Sequence, residues 1–284
     1  GISGLGNEAV TISDTTSAAN VSGILSKTSG VVTATVTSDT AASLNSALTN
    51  TTGNDALTLT VTGTAAATDL TALDGKTSVN VGATAVTTIT GTQAQVVAIN
   101  VGTITTSGNY AVTLSDTSLS AAAIKTVNTQ NGTGAIDISS VTTITSSTAA
   151  DVLEIVNNTN STFTTAANYA VTLSGISSAS DVNTIVNDTT GIVTATVTEA
   201  TAASLNSALA NASSTDALTL TLTDTALASA DDLIALDGKT SVAVNATSVT
   251  SVTDTYADIN TLYGLSGISG LGNEAVTISD TTSA

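Results

Sequence analysis

ALTLTVTGTAAATDLTALDGKTSV, residues 56–79, carries the pattern from which the fold is read. Leu57, Leu59 and Val61 alternate with Thr58, Thr60 and Thr62, the two-residue period of a strand with one buried face. β-Branched Thr and Val suit a pleated surface, so propensity and pattern agree. The period then changes. Ala66, Leu70 and Leu73 fall at i, i+4 and i+7, one face of a short helix. Gly75 stands where a left-handed C-terminal cap is expected, with Lys76 near the negative end of the helix. So short a helix needs tertiary packing to persist. The segment predicts one turn of strand, short helix and return.

The same grammar recurs along the chain. VVTATVTSDTAASLNSALTN, from Val31, returns in diverged form as IVTATVTEATAASLNSALAN from Ile192, an offset of 161 residues. LDGKTSV returns from Leu73 to Leu236, an offset of 163, so two residues are inserted between these landmarks. Strand-like segments start at Ala9, Val31, Ala56, Ser78, Ala111, Ala135, Ala170, Ile192, Ala217, Ser241 and Ala275, at intervals of 22 to 35 residues. Residues 1–18, GISGLGNEAVTISDTTSA, recur letter for letter as 267–284, an offset of 266. Ten coils therefore fill one period. They group as a four-coil block (1–110), a two-coil block (111–169), a diverged copy of the first block (170–266) and the start of a further tandem unit (267–284). A chain that begins at Gly1 and closes on its own opening reads as a window cut from a tandem array.

The longer coils carry extra β-like sequence, VNVGATAVTTIT (79–90) and AIDISSVTTIT (135–145), expected to form a second strand or a protruding loop. Ser/Thr-x-x-Asp at Thr148/Asp151, Ser178/Asp181, Ser229/Asp232 and Thr255/Asp258 predicts helix starts resembling a capping box. The expected fold is a repeat solenoid, mainly β with short helices, built of parallel strand–short helix coils of about 22–35 residues. The crossover rule for parallel strands makes it right-handed. All-β coils with irregular loops are the alternative.

Composition agrees with a thin core. The chain has no Cys, Met, His, Arg, Pro or Trp, one Phe (Phe163) and four Tyr, so Val, Ile, Leu and Ala must fill the interior. Apolar residues make up 41% and charged residues 9%, and the apolar ones are periodic, which favours folding over disorder. Four lysines against 22 acidic residues give a net charge of −18, which opposes nucleic acid and anionic membranes. No apolar run is long enough for membrane insertion.

Without His or Cys, serine and cysteine nucleophile–histidine chemistry is excluded. Asp231–Asp232, or Asp69 with Asp74, offer carboxylate pairs for acid–base work, yet Asp at helix starts is accounted for by capping. LDGKT ends like a phosphate loop, but Leu70 and Leu233 stand where that motif needs glycine, and the helix precedes it. The chain is therefore read as no enzyme, with no catalytic, cofactor-binding or metal residue assigned. Calcium is the one cofactor that the Asp- and Asn-bearing loops leave open, although no EF-hand loop is present. Tyr110, Tyr169, Tyr256, Tyr263 and Phe163 are the only aromatic platforms for a sugar. T-x-T rows at Thr33–Thr37 and Thr58–Thr62 resemble the ice-binding faces of some antifreeze solenoids, though exposed strands favour Thr anyway.

With AASLNSAL, LDGKTSV and VTTIT repeated between Thr-rich strands, the whole chain resembles the repetitive regions of giant bacterial cell-surface proteins. These include adhesins, S-layer-like proteins and RTX-type exoproteins, notably of marine cyanobacteria. The resemblance implies secretion and a role in surface coats, adhesion or motility, often with calcium; the RTX nonapeptide is absent here. The expectation is a structural protein. It would be the repeating unit of an extracellular fibre, sheath, surface layer or adhesin stalk, with adjacent copies as partners through end-to-end coil stacking. The alternative is a surface binding module, an adhesin for a glycan, ice or a partner cell.

Overall fold

The computed structural model describes residues 6–99, 102–158 and 161–280. The chain opens with β1 (Val10–Thr11), α1 (Ala18–Leu25), β2 (Val32–Thr35), α2 (Ala41–Ala47), β3 (Ala56–Thr58), β4 (Thr60–Ala66) and α3 (Ala67–Asp74). It continues with β5 (Val81–Gly91), α4 (Gln93–Ala98), β6 (Ile104–Thr106), β7 (Ala111–Leu114), β8 (Ser118–Leu119) and α5 (Ala121–Gln130). Next come β9 (Ile136–Ile138), β10 (Thr143–Ser147), α6 (Ala149–Val156), β11 (Phe163–Thr165), β12 (Ala170–Ser177), α7 (Ala179–Asp188) and β13 (Val193–Val197). The remainder is α8 (Ala202–Ala208), β14 (Ala217–Thr219), β15 (Ala228–Ser229), α9 (Ala230–Asp237), β16 (Val244–Asn245), β17 (Ser251–Asp254), α10 (Tyr256–Leu262), β18 (Ile268–Ser269) and β19 (Ala275–Ile278). The fold is α/β, with several sheets and ten short helices among the described residues.

Two compact units share the chain. One holds Gly1–Thr117, Ala123–Val141 and Asn158–Thr165; the other holds Ser118–Ala122, Thr142–Asn157 and Ala166–Ala284. In the first unit β1-β2-β3 form one sheet and β11-β9-β7-β5-β4 another, with β6 also beside β5. In the second, β14-β13-β12-β10-β8 form a five-stranded sheet, and β15-β17-β19 and β16-β18 smaller ones. Every strand pair among the described residues is parallel. Partners stand one coil apart: Val10 faces Val32, Thr33 faces Ala56, Val171 faces Val193 and Thr194 faces Ala217.

Alternation sets which residues enter the core. In β2, Val32 and Ala34 are buried while Thr33 and Thr35 face outward, and β13 repeats this with Val193, Ala195 and Val197 inside. Leu57, Leu59 and Val61 are buried as the pattern requires, and Leu70 and Leu73 of α3 close over them. Neighbouring helices also pack, α2 on α3 and α8 on α9. The long coils do carry extra strand: β5 runs for 11 residues, and one later coil holds both β9 and β10.

Helix starts follow the sequence reading with one exception. Thr148, Ser178 and Thr255 accept hydrogen bonds from the amides of Asp151, Asp181 and Asp258. Ser229 does not cap α9; its hydroxyl instead donates to Asp254 Oδ2 at 2.9 Å. Both limbs of a capping box are made at Thr92 and Gln95. A second device, not read from the sequence, caps helices across coils. Asp116 accepts from the amide of Gln93 at 2.6 Å, Asp224 from Ala202 at 2.8 Å and Asp280 from Tyr256 at 2.8 Å. Each amide opens a helix one coil earlier, where unpaired N–H groups and the helix dipole favour a carboxylate.

The glycines behave differently from expectation. Gly75 and Gly238 end α3 and α9 with φ of −68° and −72°, right-handed rather than left-handed. Here the helix tightens into a last turn, with the Lys76 amide on the Leu73 carbonyl at 3.0 Å, and no left-handed residue is needed. Ser26 holds the same place after α1, at φ −72°. Gly134 and Gly191 are among the constrained ones, since a Cβ there would stand 2.0 Å from Tyr110 O and 2.3 Å from Tyr169 O.

Two buried carboxylates stitch the coils. Asp55 accepts from the Val32 amide at 2.9 Å in the coil before and from the Thr52 amide at 2.7 Å in its own coil. Its carbonyl accepts from the Ser78 amide at 2.8 Å in the coil after. Asp216 repeats the arrangement with Val193, Ser213 and Ser241 at 3.0, 3.0 and 2.7 Å. Beside them the buried hydroxyls of Thr77 and Thr240 bridge the amide and carbonyl of Leu57 and of Leu218.

Urea denaturation should show Asp55→Ala and Asp216→Ala each losing about 3 kcal/mol, because buried amides lose a charged acceptor. Gly75→Ala and Gly238→Ala should each gain about 0.5 kcal/mol by restricting the unfolded chain. Gly191→Ala should instead lose roughly 2 kcal/mol to overpacking.

Candidate assembly interface

The acidic pairs singled out from sequence do structural work. Asp69 lies in the first turn of α3 and accepts from Asn45 Nδ2 at 3.2 Å, while its carbonyl accepts the same group at 2.8 Å. Asp232, the equivalent residue of α9, accepts from Asn206 Nδ2 at 2.8 Å. Asp74, at the other end of α3, accepts from the Thr103 hydroxyl. Each carboxylate is thus held by a residue of another coil.

Lys76 and Lys239 of the LDGKT copies also turn to neighbouring coils. Lys76 Nζ donates to the carbonyls of Leu48 at 2.6 Å and Asn45 at 2.8 Å, at the end of α2. Lys239 Nζ donates to Leu209 at 2.9 Å, the C-cap of α8. A cation suits the negative end of a helix. Partial burial lowers the pKa of Lys76.

One acidic cluster forms among the described residues. Asp231, Asp254 and Asp258 place one carboxylate oxygen each within 4.8 Å of the others. The charges of Asp258 and then Asp254 raise the Asp231 pKa. Asp254 is lowered, chiefly by the Ser229 hydroxyl that bonds it. These are the residues that could approach a cation, and α9, the end of β17 and the first turn of α10 position them. Calcium takes six to eight oxygens, so one oxygen from each carboxylate would not complete its shell.

The aromatic residues divide. Tyr110 and Tyr169 are 1% exposed, which removes them as sugar platforms. Tyr169 donates to Asp188 at 2.6 Å; burial first, then this carboxylate, holds the phenol well above its usual range. Tyr256 and Tyr263 are exposed on and just after α10. Tyr263 donates to Glu274, and its pKa is pushed up to about 12 by burial and by that bond. The threonine rows are interrupted, since Thr33 stands beside Ala56 and Thr194 beside Ala217.

The duplicated segment is the most informative surface. The turn before the strand is the same in both copies: Glu8 accepts from the amides of Gly6 and Asn7 at 2.6 and 3.1 Å. Glu274 accepts from Gly272 and Asn273 at the same distances. The strands that follow use opposite edges. In the first copy the Val10 and Ile12 amides donate to Val31 and Thr33 of the coil after, at 3.0 and 2.9 Å. In the second copy the Ala275 and Ser279 amides donate to Thr250 and Asp254 of the coil before, both at 2.9 Å. Ala275 and Ser279 correspond to Ala9 and Ser13, so the two sets of amides do not overlap. A single strand of this sequence can therefore pair on both sides at once. Val276 and Ile278 of β19 remain 45% and 44% exposed, whereas Val32 and Val252 in doubly flanked strands are fully buried.

Asp231→Asn should raise the melting temperature at neutral pH. A raised carboxyl pKa makes the folded state bind more protons than the unfolded, so stability falls as pH rises through the window above the ordinary carboxylate range. The variant lacks that loss, and the gap in thermal melts should close as the pH drops below the window. No protein-family model, curated protein or solved structure matches the chain.

Proposed function

We propose that this chain is a structural repeat, a solenoid of parallel strand–short helix coils, right-handed by the crossover rule. Its 266-residue period extends head to tail into an extracellular fibre, sheath, surface layer or adhesin stalk. One observation carries the reading: two identical copies of one strand pair through complementary amide sets, one toward the coil after and one toward the coil before. Such a strand belongs in the middle of a ladder.

Other features support it. Carboxylates, lysines and threonine hydroxyls bond across coils rather than converging on a cleft. Exposed, unpaired strand edges invite further pairing, which an assembling chain uses and a free-standing one must block. A net charge of −18 keeps long assemblies soluble. The resemblance to repetitive regions of giant bacterial cell-surface proteins adds the extracellular setting.

The test is electron microscopy of proteins carrying one, two and three periods. Coils about 4.8 Å apart give a rise of roughly 50 Å for ten, and each added period should lengthen a rod by that constant increment. Bodies that thicken without lengthening would sink the proposal.

A further inference from the structure

Lysines recur at one place in the coil. Lys76 is nine residues beyond Ala67, the first residue of α3, and Lys239 is nine beyond Ala230, the first of α9. Both reach back to the closing carbonyls of the preceding helix. Lys27 is nine residues beyond Ala18, the first of α1, yet its ammonium makes no hydrogen bond among the described residues. It edges an open groove of about 540 Å³ lined also by Ile12, Ala19, Asn20, Gly23 and Ile24.

The period identifies what fills that groove. Adding 266 to Lys27 gives 293, which is 30 beyond Tyr263; Lys239 is likewise 30 beyond Leu209. Tyr263 is the C-cap of α10 as Leu209 is of α8. The fifth residue of α8 is Asn206, bonded to Asp232, the third residue of α9. The fifth residue of α10 is Asn260, and the third of α1 is Asn20. Their spacing across the period is 26 residues, as between Asn206 and Asp232. Two features of one helix pair thus recur, in register, at α1 and at α10, where the described residues supply no partner for Lys27 from another coil.

We propose that the α1 groove of one copy of this chain receives α10 of a second copy, with Lys27 donating to the closing carbonyls of α10 and Asn20 beside Asn260. This rests on the head-to-tail reading and names its contact. The place beside β17 is held by residues of the 267–284 segment, and the incoming copy brings the same sequence in residues 1–18. One of the two identical segments gives way, so strand pairing is conserved while the helix contact is gained. Asp14 or Asp280, equivalent residues, then caps α10 at Tyr256.

The chain has no cysteine, so Asn20→Cys and Asn260→Cys variants of the full chain can be mixed and treated with a short bis-maleimide. A cross-linked dimer is expected from the mixture and from neither variant alone. Sedimentation at about 0.15 M ionic strength should show association weakened about tenfold by Lys27→Met and largely retained by Lys27→Arg, with circular dichroism confirming the fold. Association without the 20–260 link and indifferent to Lys27→Met would overturn this contact. A chain that stays monomeric throughout would do so too. Neither result touches the rod-length test, which judges the head-to-tail reading separately.

Discussion

Among the described residues every strand takes its hydrogen-bond partners from parallel neighbours, and the rest of the structure serves that requirement. A parallel strand leaves amides and carbonyls open at both edges unless a neighbour in register stands on each side. Where the ladder breaks, side chains take over. Asp55 supplies an acceptor to the Val32 amide, and the Thr77 hydroxyl bridges both backbone groups of Leu57. The diverged block repeats both devices at Asp216 and Thr240. Carboxylates in one coil cap helices of the coil before, and lysines in one coil satisfy helix ends of the coil before. The helices, six to ten residues long, are too short to persist alone and depend on these ties and on burial of Leu44, Leu70, Leu205 and Leu233.

The same requirement accounts for the composition. The buried core among the described residues is filled almost entirely by Val, Ile, Leu and Ala and seldom by a ring. The two tyrosines that are fully enclosed have their backbones crossed closely by Gly134 and Gly191. Threonine on the outer face combines β-branching with a hydroxyl that water can satisfy. The acidic residues are distributed among helix caps and coil ties, which is why the charge produces only one close carboxylate cluster among the described residues.

Alternation and the switch to a helical period are legible in residues 56–79 because both are local: each position's neighbours along the chain decide whether it faces in or out. The inward Leu57, Leu59, Val61, Leu70 and Leu73 all lie where that reading places them. Gly75 misleads because glycine after a helix serves either a left-handed cap or a tightened right-handed turn, and nothing nearby distinguishes them. Ser229 misleads because its spacing to Asp232 fits a cap while its hydroxyl donates instead to Asp254, 25 residues on. Asp55 and Asp216 escape notice because their decisive partners lie 23 residues earlier. A signal existed, since both diverged copies keep DALTLT after unlike residues. For the assembly surface, the exact 18-residue copy is visible in the letters, but the division of its amides between two edges is a matter of parity that only backbone coordinates display.

The two-residue insertion in the diverged block has a defined place. Where the first block continues as the bulged strand β4, the second breaks into a loop before β15, with Leu227 at φ 51° and 68% exposed. The pairs on either side, Thr196 with Thr219 and Ala228 with Val252, remain in step. Coil circumference is therefore a local quantity, free to vary at an outward corner while the interior spacing stays fixed. A peptide grafted between Asp224 and Leu227 would be displayed at regular intervals along a polymer of such units, which makes that corner a natural site for cargo.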